Sequence, residues 1–317
     1  MRYLHPQIWE RNAGDGQAAA DMVDCRVALE RVFGSSDRSS PCGPGDAYRL
    51  NTVHRDLAQI YRVAGEGMTY RSVPLADGSI ANLSVHILMP SVGNLRVNQM
   101  KNTRVVGPGD IMLVCDWAPF QISTTDEFDM LVINLPGWWG FQNIFATQSS
   151  LDDLYLPGSL FATPATYVLA WTIYEADVGP REVSASVATL AQLLRIALEV
   201  TAEDQWAAPQ VGRIGRILQF IFQNVDHENV SPQDAAKALK CSLRTIHKTC
   251  ADHGTSFNNL LMEARLSVAS YMLATTGSRI SDVAFASGFA SLSHFCRLFK
   301  KRVGESASEY RRRYQKH

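Results

Sequence analysis

Basic and polar side chains recur at helical spacing near the carboxyl end of the chain, within residues 287–304. Phe295, Leu298 and Phe299 fall at positions i, i+3 and i+4 and form an apolar stripe. The other faces carry four polar or basic side chains: Ser293, Arg297, Lys300 and Lys301. Guanidinium and ammonium groups donate hydrogen bonds to bases and phosphates, so a short helix pinned by its apolar side could enter a DNA groove. Any basic surface helix shares this local pattern. The rest of the sequence is therefore needed to distinguish a DNA-binding helix from another surface helix.

The segment is bounded by residues that begin and end helices. Ser291 is a suitable N-cap, Gly288 permits a tight turn before it, and Gly304 is a typical C-terminal stop. The same arrangement occurs earlier in the chain. Three pairs of equivalent residues are 49 residues apart: Ser242 and Ser291, Ile246 and Phe295, and Lys248 and Arg297. Ala236 and Ala284 are 48 residues apart, and Gly254 and Gly304 are 50 apart. The repeat predicts two helix-turn-helix units, joined by a long helix from Ser256 to about Thr275.

Charge is divided between the two parts of the chain. Residues 211–317 hold 16 Lys and Arg against 8 Asp and Glu, whereas residues 1–210 have a net charge of −9. An acidic body joined to a basic tail domain favours a polyanionic partner for the tail alone. No apolar run reaches the length of a membrane span, and the amino terminus lacks the apolar core of a signal peptide, so we predict a cytoplasmic protein with no membrane partner.

Short apolar runs between turn residues predict strands in the amino-terminal half. They cover 57–64, 80–89, 95–100, 103–106, 111–115, 120–123 and 128–135, whereas residues 18–32 show helical spacing. Strands so closely spaced favour a small barrel, and Gly107-Pro-Gly109 predicts a tight turn of the kind that cupin-type barrels use. His54 and His86 are isolated, and the six cysteines form no cluster and look reduced and mostly buried. We therefore expect no metal, no cofactor and no catalytic residue.

A small barrel without a metal can enclose a small molecule. The candidate lining residues are Tyr61, Arg71, His86, Trp117, Phe120 and Trp138. Two helices follow, at about 165–176 and 182–204. In the second, Val183, Leu190 and Ala197 recur every seven residues, as do Val187, Leu194 and Thr201. These rows form a seam for another helix, either of the same chain or of a second subunit, and we favour a dimer.

Residues 280–304, with Glu309-Tyr-Arg311 after them, resemble the signature of the AraC/XylS family of bacterial transcription regulators. The resemblance covers about residues 211–315, and the Arg71-Ser72 strand, the Gly107–Asp110 turn and the two trailing helices resemble the family's XylS-like effector domains more loosely. The resemblance implies an α+β protein with two domains. Residues 1–206 would form an effector-binding and dimerisation domain, with a cupin-like barrel at about 50–136 and helices at about 164–204. Residues 207–317 would form an all-α DNA-binding domain with two helix-turn-helix motifs. The family usually has proline where this chain has Ala307, which predicts a less rigid start to the last helix.

The resemblance also implies roles for individual side chains. Six residues would face base edges in successive major-groove segments: Arg244, His247 and Lys248 in the first unit, and Leu292, Ser293 and Arg297 in the second. Four would contact phosphates: Ser242, Ser291, Lys300 and Lys301.

The function that follows is a transcription regulator, most simply an activator that contacts RNA polymerase and responds to a small organic effector. Two alternatives stay open. The amino-terminal domain could only dimerise or bind a protein partner. The chain could also be an enzyme similar to the DNA-repair methyltransferases that share this DNA-binding fold, although Cys42 lacks the neighbouring group that would activate it.

Overall fold

A computed structural model describes residues 21–33, 47–55, 58–72, 84–99, 102–116, 118–145, 154–159, 162–175, 180–204 and 213–314. The strands are β1 Asp21–Asp24, β2 Ala47–Arg55, β3 Ala58–Arg71, β4 Ser84–Val92, β5 Leu95–Gln99, β6 Asn102–Val106, β7 Ile111–Cys115, β8 Phe120–Pro136 and β9 Tyr155–Leu156. The helices are α1 Cys25–Phe33, α2 Gly137–Asn143, α3 Ala162–Glu175, α4 Pro180–Asp204, α5 Arg213–Gln223, α6 Pro232–Ala238, α7 Leu243–Asp252, α8 Phe257–Thr275, α9 Ile280–Ala286, α10 Leu292–Val303 and α11 Ala307–Tyr314.

The strands form one antiparallel sheet that curls into a nearly closed barrel. Its order is β1-β2-β3-β8-β4-β7-β9, and β5 pairs with both β6 and β8. Strand β8 organises the barrel because β3 pairs along one edge of it, while β5 and β4 pair with successive parts of the other edge. The turn at Gly107 is present, with Asp110 N donating to Gly107 O at 3.0 Å and Gly109 at a φ of 90°.

Alternate residues of the strands face different apolar clusters. Val132, Met130 and Val63 belong to the interior cluster, together with residues of α1. Ile133, Leu131 and Ile60 belong to the outer cluster, which continues into α2–α4 and the carboxyl-terminal helices. This alternation follows from the two-residue period of a strand, and it leaves both faces of the central strands buried.

The boundaries of several elements differ from the predictions. Residues 120–136 form one long strand, β8, where the polar run around Thr125 predicted a break. Strand β1 and most of β2 were not predicted, and the helical spacing of 18–32 corresponds to β1 followed by α1. Helix α2 was also missed, because Gly137-Trp-Trp-Gly140 contains two residues of poor helix propensity.

Four residues of the two heptad rows of α4 are buried within the chain. Val187, Leu190, Leu194 and Ala197 are at most 3% exposed and lie in one cluster with Ala170 and Ile173 of α3. A dimer seam on these rows is therefore wrong: α3 of the same chain is the helix that they contact.

Helix α2 docks the barrel onto the carboxyl-terminal helices. The Phe141 ring stacks on Phe222 of α5 with centroids 5.1 Å apart, and Trp138 contacts Tyr271 of α8 at 5.0 Å. Gln142 and Gln219 each donate a hydrogen bond across this contact, to Phe222 O at 3.1 Å and Phe145 O at 2.7 Å. The two parts of the chain thus share one apolar core.

The cysteines are not all reduced thiols, contrary to the expectation. Cys25, at the start of α1, is disulfide-bonded. Cys115, Cys241, Cys250 and Cys296 are free, and Cys42 lies outside the described residues. Over the described part of the chain, none of the helices has the length and apolar character that crossing a membrane requires.

Candidate nucleic-acid interface

Two helix-turn-helix units, α6–α7 and α9–α10, lie on either side of the long helix α8. Serine caps fix where three of their helices begin. Ser231 and Asp234 form a capping box at α6, Ser242 Oγ accepts a hydrogen bond from Thr245 N at 3.1 Å, and Ser291 Oγ accepts one from His294 N at 3.4 Å. The predicted caps at Ser242 and Ser291 are thus confirmed.

Helix α10 is pinned by a row of aromatic rings. Phe295 and Phe299 are fully buried with centroids 5.3 Å apart, and the row continues to Phe289 at 5.2 Å and to Tyr310 of α11 at 5.5 Å. Gly304 ends the helix at a φ of 90°. The side chains away from this row are exposed: Leu292, Ser293, Arg297, Lys300 and Lys301. One side of α10 is therefore anchored, and the other presents basic and polar groups to solvent.

Helix α7 has the same two sides. Ile246, Thr249 and Cys250 are buried, whereas Arg244, His247 and Lys248 are exposed. All predicted base-facing residues thus lie on exposed faces of the two second helices, as a groove-binding helix requires.

Cys296 is an exposed residue on this face of α10 that the prediction omitted. In the repeat of 49 residues, Cys296 is equivalent to His247, just as Arg297 is equivalent to Lys248. Applying that spacing to His247 would have identified Cys296 from the sequence.

Arg265, a buried arginine of α8, contacts both helix-turn-helix units. Arg265 is 5% exposed, and its Nη2 donates to His227 O at 2.6 Å and to Glu228 O at 3.0 Å, in the turn between α5 and α6. On its other side the guanidinium lies 6.0 Å from the Phe289 ring. Gly288 has a φ of 79°, and a Cβ there would lie 2.8 Å from Arg265 Nε, so the tight turn of the second unit depends on glycine.

A second charged contact ties α10 to α8. Arg302 Nη1 lies 3.1 Å from Glu263 Oε1, and its Nη2 donates to Asn259 Oδ1 at 2.6 Å. Glu263 is 2% exposed, and burial raises the pKa of its carboxyl although the Arg302 charge opposes that rise. These contacts attach the carboxyl-terminal end of α10 to α8.

The last helix starts firmly without proline. Ser306 Oγ accepts a hydrogen bond from Glu309 N at 3.3 Å, and Glu309 Oε2 accepts one from Ser306 N at 2.8 Å, which is a capping box. Ala307 is 3% exposed and packs in the same cluster as Phe299. The less rigid start predicted from Ala307 is therefore wrong.

The candidate ligand residues of the barrel separate into two groups. Tyr61, His86 and Phe120 lie in its interior. Arg71 is exposed and donates to Gln121 Oε1 at 3.4 Å, and Trp138 lies on α2 against Tyr271, so neither lines the interior. The predictions that Arg71 and Trp138 line the interior are therefore wrong. The side chain of residue 71 points away from the interior on β3, and residue 138 lies beyond the end of β8. Trp117 lies outside the described residues.

His86 is the centre of a buried polar network in the barrel. Its Nδ1 lies 2.7 Å from Asn134 Oδ1, and its Nε2 lies 2.9 Å from Asp116 Oδ1. Asn134 Nδ2 donates to Val32 O at 2.5 Å, so its Oδ1 is the acceptor toward His86. Both ring nitrogens are then placed to donate, one to Asn134 Oδ1 and one to Asp116 Oδ1, and this arrangement favours the imidazolium form.

The charge on His86 has a matching electrostatic cause. Burial alone lowers the pKa of His86, but the Asp116 carboxylate and the two side-chain hydrogen bonds outweigh it and raise the pKa overall. When His86 is protonated, its ring pairs with the Asp116 carboxylate at 2.9 Å. Among the described residues, no group of three or more His, Cys, Asp and Glu side chains is placed to hold a metal ion.

Comparison with known proteins agrees with this geometry. Residues 235–313 match the model of a helix-turn-helix domain family. The transcriptional activator NphR of Rhodococcus sp is 27% identical over 285 residues, which cover 83% of this chain and 75% of that protein. The transcriptional activator RhrA of Rhizobium meliloti (strain 1021) is 33% identical over 102 residues, 32% of each protein.

The barrel and the helical domain also occur together in a solved structure. The AraC-like transcriptional activator CuxR superposes with a TM-score of 0.51 over 83% of this chain and 93% of that one, at 14% identity. At that identity the likeness concerns the fold alone. Together with the two capped helix-turn-helix units, these similarities show that residues 235–313 form an AraC-type helix-turn-helix domain and that the chain is similar to transcriptional activators that carry one.

Proposed function

We propose that this chain binds promoter DNA through both α7 and α10 and activates transcription. The observation that carries the proposal is that each of these helices buries its apolar side and leaves its basic and polar side exposed, while α8 holds the two apart. Its relatives NphR and RhrA are both named transcriptional activators, which supports activation here. Contact with RNA polymerase and a cytoplasmic location belong to the same proposal.

In this proposal the exposed residues divide between bases and phosphates. Arg244, His247, Lys248, Leu292, Ser293 and Arg297 face base edges, and Arg297 is the strongest candidate because a guanidinium can bond guanine at two atoms. Lys300 and Lys301 contact phosphates. Ser242 and Ser291 accept capping hydrogen bonds at their oxygens, and each hydroxyl hydrogen can still be donated to a phosphate.

Gel-shift titration of Arg297→Ala on the chain's own promoter and on random DNA tests this division. We expect a loss of about 1–3 kcal/mol on the promoter, with relaxed specificity at one base pair. The matched control is Lys301→Ala on the same helix, which should weaken both DNAs alike and reduce the salt dependence by about one phosphate contact. An equal loss on both DNAs for Arg297→Ala would make Arg297 a phosphate contact.

We further propose that a small organic effector binds inside the barrel and changes DNA affinity, and that the chain acts as a homodimer. Tyr61, His86 and Phe120 are the remaining candidate lining residues. Because the α4 rows pack within the chain, a dimer must use another surface. Native mass spectrometry of protein purified from the native host would detect a bound metabolite and the subunit number together.

A second candidate function is a regulator whose amino-terminal domain binds no small molecule and only dimerises or contacts a protein. It is favoured by the tight filling of the barrel by its own side chains, with Phe33, Tyr70 and Phe120 at most 4% exposed. A screen in which no ligand changes the thermal stability of the barrel would select this candidate.

A further inference from the structure

Two apolar side chains lie side by side on the exposed side of α10. Leu292, the first residue of the helix, is 38% exposed, and Cys296 is an exposed free cysteine. Residues four apart on a helix are neighbours, so these two side chains form one small apolar surface. We call Leu292 and Cys296 the apolar pair. Neither residue belongs to the cluster around Phe295 and Phe299 that anchors α10, so the pair is not needed to hold the helix in place.

The apolar pair lies among the polar groups that we propose contact DNA. Two neighbouring rows of exposed residues, each with a spacing of four, run along α10: Leu292, Cys296 and Lys300, and Ser293, Arg297 and Lys301. Both rows end in a lysine near the carboxyl-terminal end of the helix, whereas the apolar pair occupies its amino-terminal part. A recognition helix contacts base edges with its amino-terminal residues, so the pair lies in the part of α10 that reaches the bases.

The chemistry of the apolar pair selects one base. Thymine presents an apolar group in the major groove, its C5-methyl, whereas the other three bases present hydrogen-bond donors and acceptors there. A leucine side chain makes no hydrogen bond, and a thiol is only a weak donor and acceptor. Packing the pair on an amino or carbonyl group would leave that group without a partner, which costs free energy. Packing it on a methyl group removes apolar surface from water, which is favourable.

Helix α7, all of whose residues the structure describes, carries no equivalent of the apolar pair. Leu243 and His247 occupy the equivalent positions in the repeat. Leu243 is only partly exposed, and the exposed His247 has an imidazole ring that makes hydrogen bonds. Arg244 and Lys248 beside them are exposed cations that donate hydrogen bonds. The two recognition helices therefore offer different chemistry to the bases.

We propose that Leu292 and Cys296 read thymine by packing on its C5-methyl group, and that this requirement applies to the DNA segment bound by α10 and not to the segment bound by α7. The inference rests on the proposed function and specifies part of the base preference of one of its two helices. Arg297, in the next row, is placed to read guanine in the same segment. The two segments of the binding site then differ in sequence, and the site is asymmetric.

Replacing thymine by deoxyuridine in the promoter tests the contact, because deoxyuridine pairs in the same way and lacks only the C5-methyl group. The α10 segment is the part of the promoter whose hydroxyl-radical protection weakens in Arg297→Ala, and the α7 segment is the part whose protection weakens in Lys248→Ala. In gel-shift titrations of the full wild-type chain, replacing a contacted thymine of the α10 segment should weaken binding about fourfold. Replacements in the α7 segment should change the affinity by less than about twofold.

Variants of α10 locate the contact on the protein. The measured quantity is the ratio of the affinities for the thymine promoter and the deoxyuridine promoter, from which any loss of folded protein cancels because both DNAs meet the same protein. In Leu292→Ala the ratio should fall from about fourfold to below about twofold. Cys296→Ser, which keeps the size but replaces the thiol by a hydroxyl, should also lower it. The matched control Lys301→Ala should weaken binding to both DNAs alike and keep the wild-type ratio.

Four results would overturn the inference: a wild-type ratio of about one, an α10 segment without thymine, equal effects of deoxyuridine in both segments, or a wild-type ratio retained in both variants of the apolar pair. A ratio that falls as far in Lys301→Ala as in Leu292→Ala would overturn it as well. A chain that prefers its promoter to random DNA but does not distinguish thymine from deoxyuridine refutes this inference alone. A chain that shows no preference for its promoter refutes the proposed function, on which the inference rests.

Discussion

Replacing Arg265 tests whether α8 orients the first helix-turn-helix unit. The Arg265→Met variant keeps most of the apolar stem and removes the guanidinium that reaches Val225, His227 and Glu228. The turn between α5 and α6 then loses its attachment to α8. We expect DNA affinity to fall while the base preference that depends on Arg297 remains.

The structure sets the size of the effect. Arg265 Nη2 donates hydrogen bonds to His227 O at 2.6 Å and to Glu228 O at 3.0 Å. Hydrogen bonds from a charged donor contribute about 1.5–3 kcal/mol each. His227 and Glu228 are exposed, so water can replace part of each bond, and the low end of that range applies. The bond to Val225 O is longer, at 3.3 Å, and adds less. We therefore expect Arg265→Met to destabilise the helical domain by about 3–4 kcal/mol.

Hydrogen exchange of α8 in the full chain measures this loss. At about 1.4 kcal/mol per factor of ten, protection of the α8 amides should fall roughly 100- to 1,000-fold. The matched control is Arg279→Met, the same replacement at an exposed position of the same domain, which should stay within about 0.5 kcal/mol of the wild type. A loss below about 1 kcal/mol for Arg265→Met, or an equal loss in the control, would refute the role assigned to Arg265.

Three further predictions concern other contacts. The raised pKa of His86 contributes stability that is fully present below about pH 6.5 and is lost as pH rises through that raised value; thermal unfolding against pH should show this decline, and Asp116→Asn should reduce it. Gly140→Ala places a Cβ 2.6 Å from Val85 Cγ2, so we expect about 1–3 kcal/mol of destabilisation, measured by thermal unfolding, with Gly277→Ala, where no atom lies within 4 Å, as the control. Ser306→Ala removes the cap of α11 and should increase amide exchange in that helix, whereas Ser308→Ala should not.

The helical domain was predictable from sequence because its signals are local. Serine caps at 231, 242, 256 and 291 and the glycine at 304 mark helix ends by short-range chemistry, and the predicted helices lie within a few residues of the observed ones. The repeat of 49 residues also predicted which faces of α7 and α10 are exposed. Arg265 was missed because its partners are carbonyl oxygens, which any residue supplies, and the separation in sequence is about 40 residues.

The barrel was predictable only as a class of fold. Strand runs indicate that a sheet exists, but which strands pair depends on contacts between distant residues, such as β3 with β8. Helix α1 carries no sequence signal for entering the barrel, since Phe33 looks like any apolar residue at the end of an amphipathic helix. The heptad rows of α4 predicted an apolar partner helix, yet the pattern is the same whether that helix lies in the same chain or in another.

Hydroxyl-radical footprinting on the native promoter tests the central claim that α7 and α10 both bind DNA. We expect two protected segments on one face of the duplex, about one helical turn apart. Lys248→Ala should weaken protection of one segment, and Arg297→Ala should weaken protection of the other. If both substitutions weaken protection of the same segment, or if either leaves the footprint unchanged, α7 and α10 do not bind successive segments of the major groove.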